Sequence, residues 1–189
     1  MYDFANSGYT TVVLTAVFNA YFVSVIAGNA EWATFAWTAA LSVSYAIVMV
    51  IGPVLGAWAD AHARKKWLLG VSTIVCIAGT VALAWTGAGA VAFAVTCIVV
   101  SNVAYSMGEN LTAAFLPELS RPEALGRVSG WGWSWGYFGG ILALGVSLAW
   151  VMSAPSRGSS SGDAVPGTMI ITAAIYGIAA LPTFLWLKE

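Results

Sequence analysis

Charge is what this chain has least of. Acidic and basic side chains make up 8% of its 189 residues, seven Lys and Arg against eight Asp and Glu, for a formal net charge of −1. A nucleic-acid ligand requires a basic face, which this balance does not provide. Histidine occurs once and cysteine twice. His62 has no Cys or His beside it, so nothing points to a metal centre. Cys76 and Cys97 each sit inside an apolar run and read as small apolar fillers. No glycine-rich loop ends in Lys-Ser or Lys-Thr, so there is no phosphate cradle for ATP. No catalytic grouping appears either, and the chain reads as a non-enzyme without a cofactor. Its first residues, MYDFANSGYTT, lack the basic region and the cleavage site of a signal peptide.

Apolar surface, by contrast, is abundant. Hydrophobic residues make up 60% of the chain and the mean hydropathy is +0.84, well beyond the roughly 45–50% apolar content of soluble domains. The solvent is therefore lipid. A helix needs about 20 residues to cross the hydrocarbon layer. Apolar runs of that length fall at 7–28, 33–58, 67–87, 90–115, 129–152 and 167–187. The fold class is an all-α membrane protein, with residues 1–189 as one six-helix domain. The stretch 153–167, SAPSRGSSSGDAVPG, reads as a flexible external connection.

Six spans put both ends of the domain on one side. That side carries Arg64, Lys65, Lys66, Arg121, Arg127 and Lys188, against Arg157 alone on the other. The asymmetry orients a multi-pass protein in the cell membrane with both termini cytoplasmic. Trp67 and Trp85 bracket the third span, where amphipathic indoles suit the interfaces.

Some polar residues fall where lipid should exclude them. Asp3, Asn6, Ser7, Tyr9, Thr10 and Thr11 crowd the start of the first span, and Asn19 lies deeper. On the fourth span Asn102, Tyr105, Ser106 and Glu109 follow an i, i+3, i+4, i+7 spacing, which makes one helical stripe. A carboxylate at mid-span costs roughly 2.5–3.5 kcal/mol on insertion scales, so Glu109 is expected to face a cavity or a partner helix. The plain alternative is that these groups bond neighbouring helices to one another. Gly132, Gly136 and Gly140 recur every fourth residue on the fifth span, as in close helix packing. Trp131 and Trp135 share another face, suited to lipid or core contact more than to a ligand.

Five of the sixteen ionisable residues, counting the histidine, fall between the second and third spans in GAWADAHARKKWLL (56–69): Asp60, His62, Arg64, Lys65 and Lys66. Gly56, Asp60, Arg64, Lys65 and Lys66 resemble in type and order the signature between helices two and three of the major facilitator superfamily. Ala61 replaces an expected basic residue and Ala63 an expected glycine. YDFANSGYTTVVLTAVFNAYF, FLPELSRPEALGRVSGWGWSWGYFGG and LPTFLWLKE resemble the vacuolar effluxer-like branch, related to autophagy-linked amino-acid exporters. Thr112-Ala113 stand where that branch has a Tyr-Asn pair.

The resemblance implies an N-terminal half built from two inverted three-helix repeats. It also implies a midplane site for a small solute, amino acids among the candidates, facing a second six-helix half. The motif would then latch the two halves. The site residues would be Asp3, Asn6, Tyr9, Asn19, Asn102, Tyr105, Ser106 and Glu109, with proton coupling through Glu109 or Asp3 if these are buried. The chain reads as a fragment, or as a half-transporter paired with a homodimer mate. A non-transporting scaffold or regulatory half is the alternative.

Overall fold

The computed structural model describes residues 1–187, so Lys188 and the end of LPTFLWLKE lie outside the described residues. Six helices are long and apolar enough to cross a membrane: α1 (Tyr2–Ile26), α2 (Ala33–Ala61), α3 (Lys65–Trp85), α4 (Val91–Leu119), α5 (Pro122–Met152) and α6 (Ser161–Trp186). Among the described residues there is no strand.

Packing follows an inverted repeat. Helix α1 packs on α5 as α4 packs on α2, α3 packs on α4 as α6 packs on α1, and α3 meets α6. Exchanging α1–α3 with α4–α6 maps the first pair onto the second, the third onto the fourth, and α3–α6 onto itself. Close approach is set by small residues at the crossings. A Cβ on Gly79 of α3 would lie 2.9 Å from the Ser101 Cβ of α4, and one on Gly139 of α5 would collide with the backbone of Phe4 on α1. The core between helices is filled by Tyr9, Phe18, Phe22, Ile98, Phe115 and Met169, all fully buried. Outer faces of α2 and α5 remain apolar and exposed, with Phe35, Met49 and Val54 on one and Phe138 and Ile141 on the other. Trp67 and Trp85 are exposed at opposite ends of α3, as interfacial indoles would be.

Several helix ends differ from the hydropathy expectation. Helix α1 starts at Tyr2 rather than at 7, because Asp3, Asn6 and Ser7 turn toward other helices instead of ending the apolar run. Its backbone shifts to π-helical bonding over Thr10–Ala16 and again over Phe22–Ile26. Thr15 Oγ1 caps the wide turn by donating to the Thr10 carbonyl at 2.8 Å.

Helix α4 continues through Pro117 to Leu119, since a proline in the last turn forfeits only one backbone bond. The break expected over 117–128 shrinks to Ser120 and Arg121. The connection 153–167 is also mostly ordered. Pro155–Arg157 forms a 3-10 turn, and Ser160 caps α6. Ser160 Oγ accepts from the Asp163 amide (3.2 Å), while Asp163 Oδ2 accepts from the Ser160 amide (3.3 Å), so two otherwise unpaired amides are bonded. Arg157 lies 3.9 Å from the Trp150 ring and donates to the Trp150 carbonyl.

Candidate functional site

Polar side chains of α1 recur at residues 3, 6, 7, 10 and 11, one stripe of a helix turning toward α4 and α5. On α5, the Gly132, Gly136 and Gly140 stripe faces the same way. A Cβ on Gly136 would lie 2.8 Å from Ser7 Oγ, one on Gly140 2.9 Å from Thr11 Oγ1, and one on Gly132 would collide with the Asp3 carboxylate. Glycine thus brings α5 onto the polar side of α1 without covering it. The space left between α1, α4 and α5 is a cavity of about 490 Å³. Asp3, Asn6 and Thr10 line it from α1, Tyr105 and Glu109 from α4, and Trp133 and Tyr137 from α5. A second, more apolar cleft of about 760 Å³ shares Asp3, Glu109 and Trp133 and continues past Thr112 and Leu116.

Hydrogen bonds hold the α1 wall in place. Asn6 is 5% exposed, and its Oδ1 accepts from Tyr176 Oη of α6 at 2.8 Å. Tyr2 meets Thr73 of α3 (2.8 Å) and Tyr176 (3.2 Å), so α1, α3 and α6 are joined through hydroxyls. Thr10 donates to Tyr105 (3.0 Å) or to the Asn6 carbonyl (3.1 Å).

The predicted residues divide into three groups. Asp3, Asn6, Tyr105 and Glu109 come together at the cavity. Tyr9 stands behind them, fully buried, stacked on Tyr105 at 5.0 Å and bonded to Ser101 Oγ at 2.8 Å. Asn19, Asn102 and Ser106 do not line it. The α4 stripe is wide enough to straddle two neighbours. Tyr105 and Glu109 face the cavity, whereas Asn102 donates to Ser44 of α2 at 2.5 Å. Asn102 Oδ1 and Ser106 Oγ are buried without a partner among the described residues.

Glu109 is solvent-exposed in the cavity and not buried, so burial gives no support to its role in proton coupling. It also lies deeper along its helix than expected, ten residues or about 15 Å from Leu119, because α4 runs further. Trp131 and Trp135 border the apolar cleft, and Trp133 is the indole at the polar cavity. Its sequence signal was the i, i+4 pair with Tyr137 beside the glycine stripe.

The motif between α2 and α3 is a separate cluster at the end of the bundle. Lys65 Nζ lies 2.7 Å from Asp60 Oδ1 and 2.8 Å from Glu118 Oε1, so it ties the ends of α2 and α4. Lys66 Nζ donates to the Leu187 carbonyl at the end of α6 (2.6 Å), a cation at a helix C-terminus. Arg64 is exposed, and a Cβ on Gly56 would meet open space. Ala63, at the position of the expected glycine, holds φ at 49°, in the left-handed region where glycine is unstrained. Glu118 is the member of this cluster that sequence reasoning missed.

The comparisons with known proteins agree on a family. The family described as "Vacuole effluxer Atg22 like" matches residues 19–189. The chain is 29% identical over 187 residues to "Uncharacterized MFS-type transporter YxiO" of Bacillus subtilis (strain 168). That alignment covers 96% of this chain and 44% of the relative, so the chain spans less than half the length of the curated relative it matches. No solved structure matches. Six apolar membrane-crossing helices in an inverted repeat, matched along nearly their whole length, place this multi-pass membrane protein in the Atg22-like vacuole effluxer family of major-facilitator-type transporters.

Proposed function

We propose that this chain is the N-terminal six-helix half of a secondary transporter that moves a small solute by alternating access. The observation that carries this reading is the cavity between α1, α4 and α5, polar on two walls and set among membrane-spanning helices. Polar and acidic groups within a span mark solute or ion paths. In transporters of inverted-repeat design the solute site lies where the repeats and halves meet. The exposed apolar faces of α2 and α5 suit either lipid or a second six-helix half, supplied by further chain or by a homodimer mate. Basic residues gathered at the α2–α3 and α4–α5 connections support a cell-membrane location with both termini cytoplasmic.

In this reading the motif Gly56, Asp60, Arg64, Lys65 and Lys66 is the latch. Asp60 is 61% exposed at its side chain and accepts from Lys65 at one oxygen, leaving the other for a facing helix N-terminus. Exposed Arg64 is free to clamp carbonyls or a carboxylate across the gap. Reconstitution into liposomes tests the proposal. Solute uptake is expected from the product of the complete reading frame, and a proton-coupled step through Glu109 would make uptake by Glu109→Gln insensitive to an imposed pH gradient. A reconstituted protein that moves no solute would favour the scaffold instead.

A further inference from the structure

The hydroxyl network behind the cavity wall has a direction, set by the number of protons each group carries. Thr73 Oγ1 donates to the Leu69 carbonyl of its own helix at 2.8 Å, which commits its single proton. In its 2.8 Å contact with Tyr2, Thr73 is therefore the acceptor and Tyr2 the donor. Tyr2 Oη then has only lone pairs to offer Tyr176, 3.2 Å away. Tyr176 also carries one proton, and Asn6 Oδ1 stands nearer to it, at 2.8 Å. A hydroxyl donor usually sits at about 2.7–2.8 Å from its acceptor, and 3.2 Å is outside that range, so the proton lies on the Asn6 side. A donor facing Asn6 selects its carbonyl edge, and the amide NH2 is turned the other way.

The other way is the cavity. Asn6 is 5% exposed and lines it, whereas Tyr176 is 2% exposed and lines neither the cavity nor the apolar cleft. Asn6 Nδ2 bonds nothing among the described residues. It is not one of the enclosed polar atoms left without a partner either, which are Asn102 Oδ1, Ser106 Oγ and Ser147 Oγ, so it opens on the cavity. Tyr176 is held in turn by Tyr2, which it meets edge to face with ring centroids 6.1 Å apart.

We propose that Tyr176 is a positioning residue for solute recognition: by holding Asn6 Oδ1 it fixes the amide so that Nδ2 donates to an oxygen acceptor on the solute. The inference rests on the transport reading above and adds the chemistry by which one cavity wall recognises the solute. A carboxylate, carbonyl or hydroxyl oxygen fits this donor. Without the Tyr176 proton the amide is free to turn over, and its carbonyl edge then faces the same oxygen. Two acceptors form no bond, so the affinity falls with the fraction of amides that have turned. Tyr176 touches no solute, and its effect passes through Asn6 alone.

The test uses the product of the complete reading frame, made with asparagine carrying carbon-13 at the side-chain carbonyl. Infrared spectra of the protein and of Asn6→Ala are subtracted to isolate the Asn6 carbonyl stretch. That stretch should move to higher frequency in Tyr176→Phe, which keeps the ring and removes the proton. A stretch unmoved by Tyr176→Phe overturns the proposal, since the carbonyl would then face the cavity. The second arm is uptake of labelled leucine, whose carboxylate supplies the acceptor, into liposomes. Asn6→Ala should raise KM about tenfold and Tyr176→Phe about threefold, the worth of one hydrogen bond and of part of it. The double variant should remain at about tenfold, not the roughly thirtyfold of two independent effects. The maximal rate of Tyr176→Phe should be unchanged. Tyr21→Phe is the control, because its hydroxyl donates to the Thr86 carbonyl (3.4 Å), and it should move neither readout. A lowered maximal rate with unchanged KM in Tyr176→Phe would mark a merely structural tyrosine and overturns the proposal, as do multiplying KM effects. An unchanged KM in Asn6→Ala overturns it too, since Nδ2 would then bond a second half and not the solute. The two readings fail separately. An unaltered protein that moves no leucine counts against transport while the infrared shift still decides the Asn6 orientation, and uptake with multiplying effects refutes the positioning alone.

Discussion

Replacing Gly139 by Ala tests how α5 reaches the polar face of α1. A Cβ at this position would lie 2.8 Å from the carbonyl carbon and from the Cα of Phe4, and nearer still to its carbonyl oxygen. Those are backbone atoms, so no side-chain rotation relieves the contact. Restoring an ordinary 3.4 Å separation to those two atoms alone requires α1 to retreat by roughly 0.6 Å, the difference between 3.4 and 2.8, and the nearer carbonyl oxygen requires more. Overpacking of that kind costs about 1–3 kcal/mol. Alanine returns about 0.5–1 kcal/mol through its better helix propensity. Gly145 and Gly130 lie on the same helix with open space around a new Cβ, so Ala at either gives the propensity gain alone. The difference between Gly139→Ala and Gly145→Ala is then the overpacking cost. At 2–4 °C per kcal/mol for a chain of this size it amounts to roughly 2–12 °C in Tm. Thermal unfolding of all three variants in one detergent, followed by fluorescence, measures it. If Gly139→Ala melts with Gly145→Ala, α5 does not rest on the Phe4 backbone, and the close crossing that frames the cavity is refuted.

Other substitutions test single local features. Ala63→Gly should stabilise the protein by about 0.5 kcal/mol and so raise Tm slightly. Relief of a left-handed alanine, about 1–2 kcal/mol, exceeds the entropy lost with glycine; a lower Tm would refute the strained turn. Ser160→Ala should cost about 1 kcal/mol by removing the α6 cap, while Ser159→Ala is neutral, and equal melting of the two would argue against the capping box. A double-mutant cycle between Lys65→Met and Glu118→Gln should give a coupling below about 1 kcal/mol that shrinks in high salt, because the Glu118 side chain is 50% exposed. A coupling of several kcal/mol, unmoved by salt, would contradict a surface pair.

The number of helices was legible because each one meets lipid, and lipid imposes a continuous apolar run. Helix ends were less so. Hydropathy treats every polar residue as a step toward water, yet Asp3, Asn6 and Ser7 face a cavity and neighbouring helices, and α1 begins before them. At the start of α6 the signal was present. Ser160 followed three residues later by Asp163 is a capping box, obscured by the surrounding Ser and Gly. The bond of Tyr176 to Asn6, across 170 residues of chain, had no local signature. Periodicity found the α4 stripe but not its division, since a stripe about 100° wide fits one neighbour or two.

That division also sets the two repeats apart. The inverted repeat makes α1 against α5 equivalent to α4 against α2. Both α1 and α4 present a polar stripe to their partner. On α5 the partner's facing residues are Gly136 and Gly140, which leave Ser7 and Thr11 uncovered. On α2 they include Ser44 and Val48, both with side chains, and Asn102 is enclosed there with no exposure at all. The same contact is therefore open in one repeat and closed in the other. In physical terms the glycine stripe has two effects: it draws two backbones together, and it withholds the side chains that would fill the space beside them. Replacing Gly136 with serine would make α5 resemble α2 at this level. It should shrink the cavity by placing a side chain against Ser7, and any solute binding there should weaken while the distant Asp60–Lys65–Glu118 cluster is unaffected. Binding that survives Gly136→Ser at full strength would show that the solute is held elsewhere.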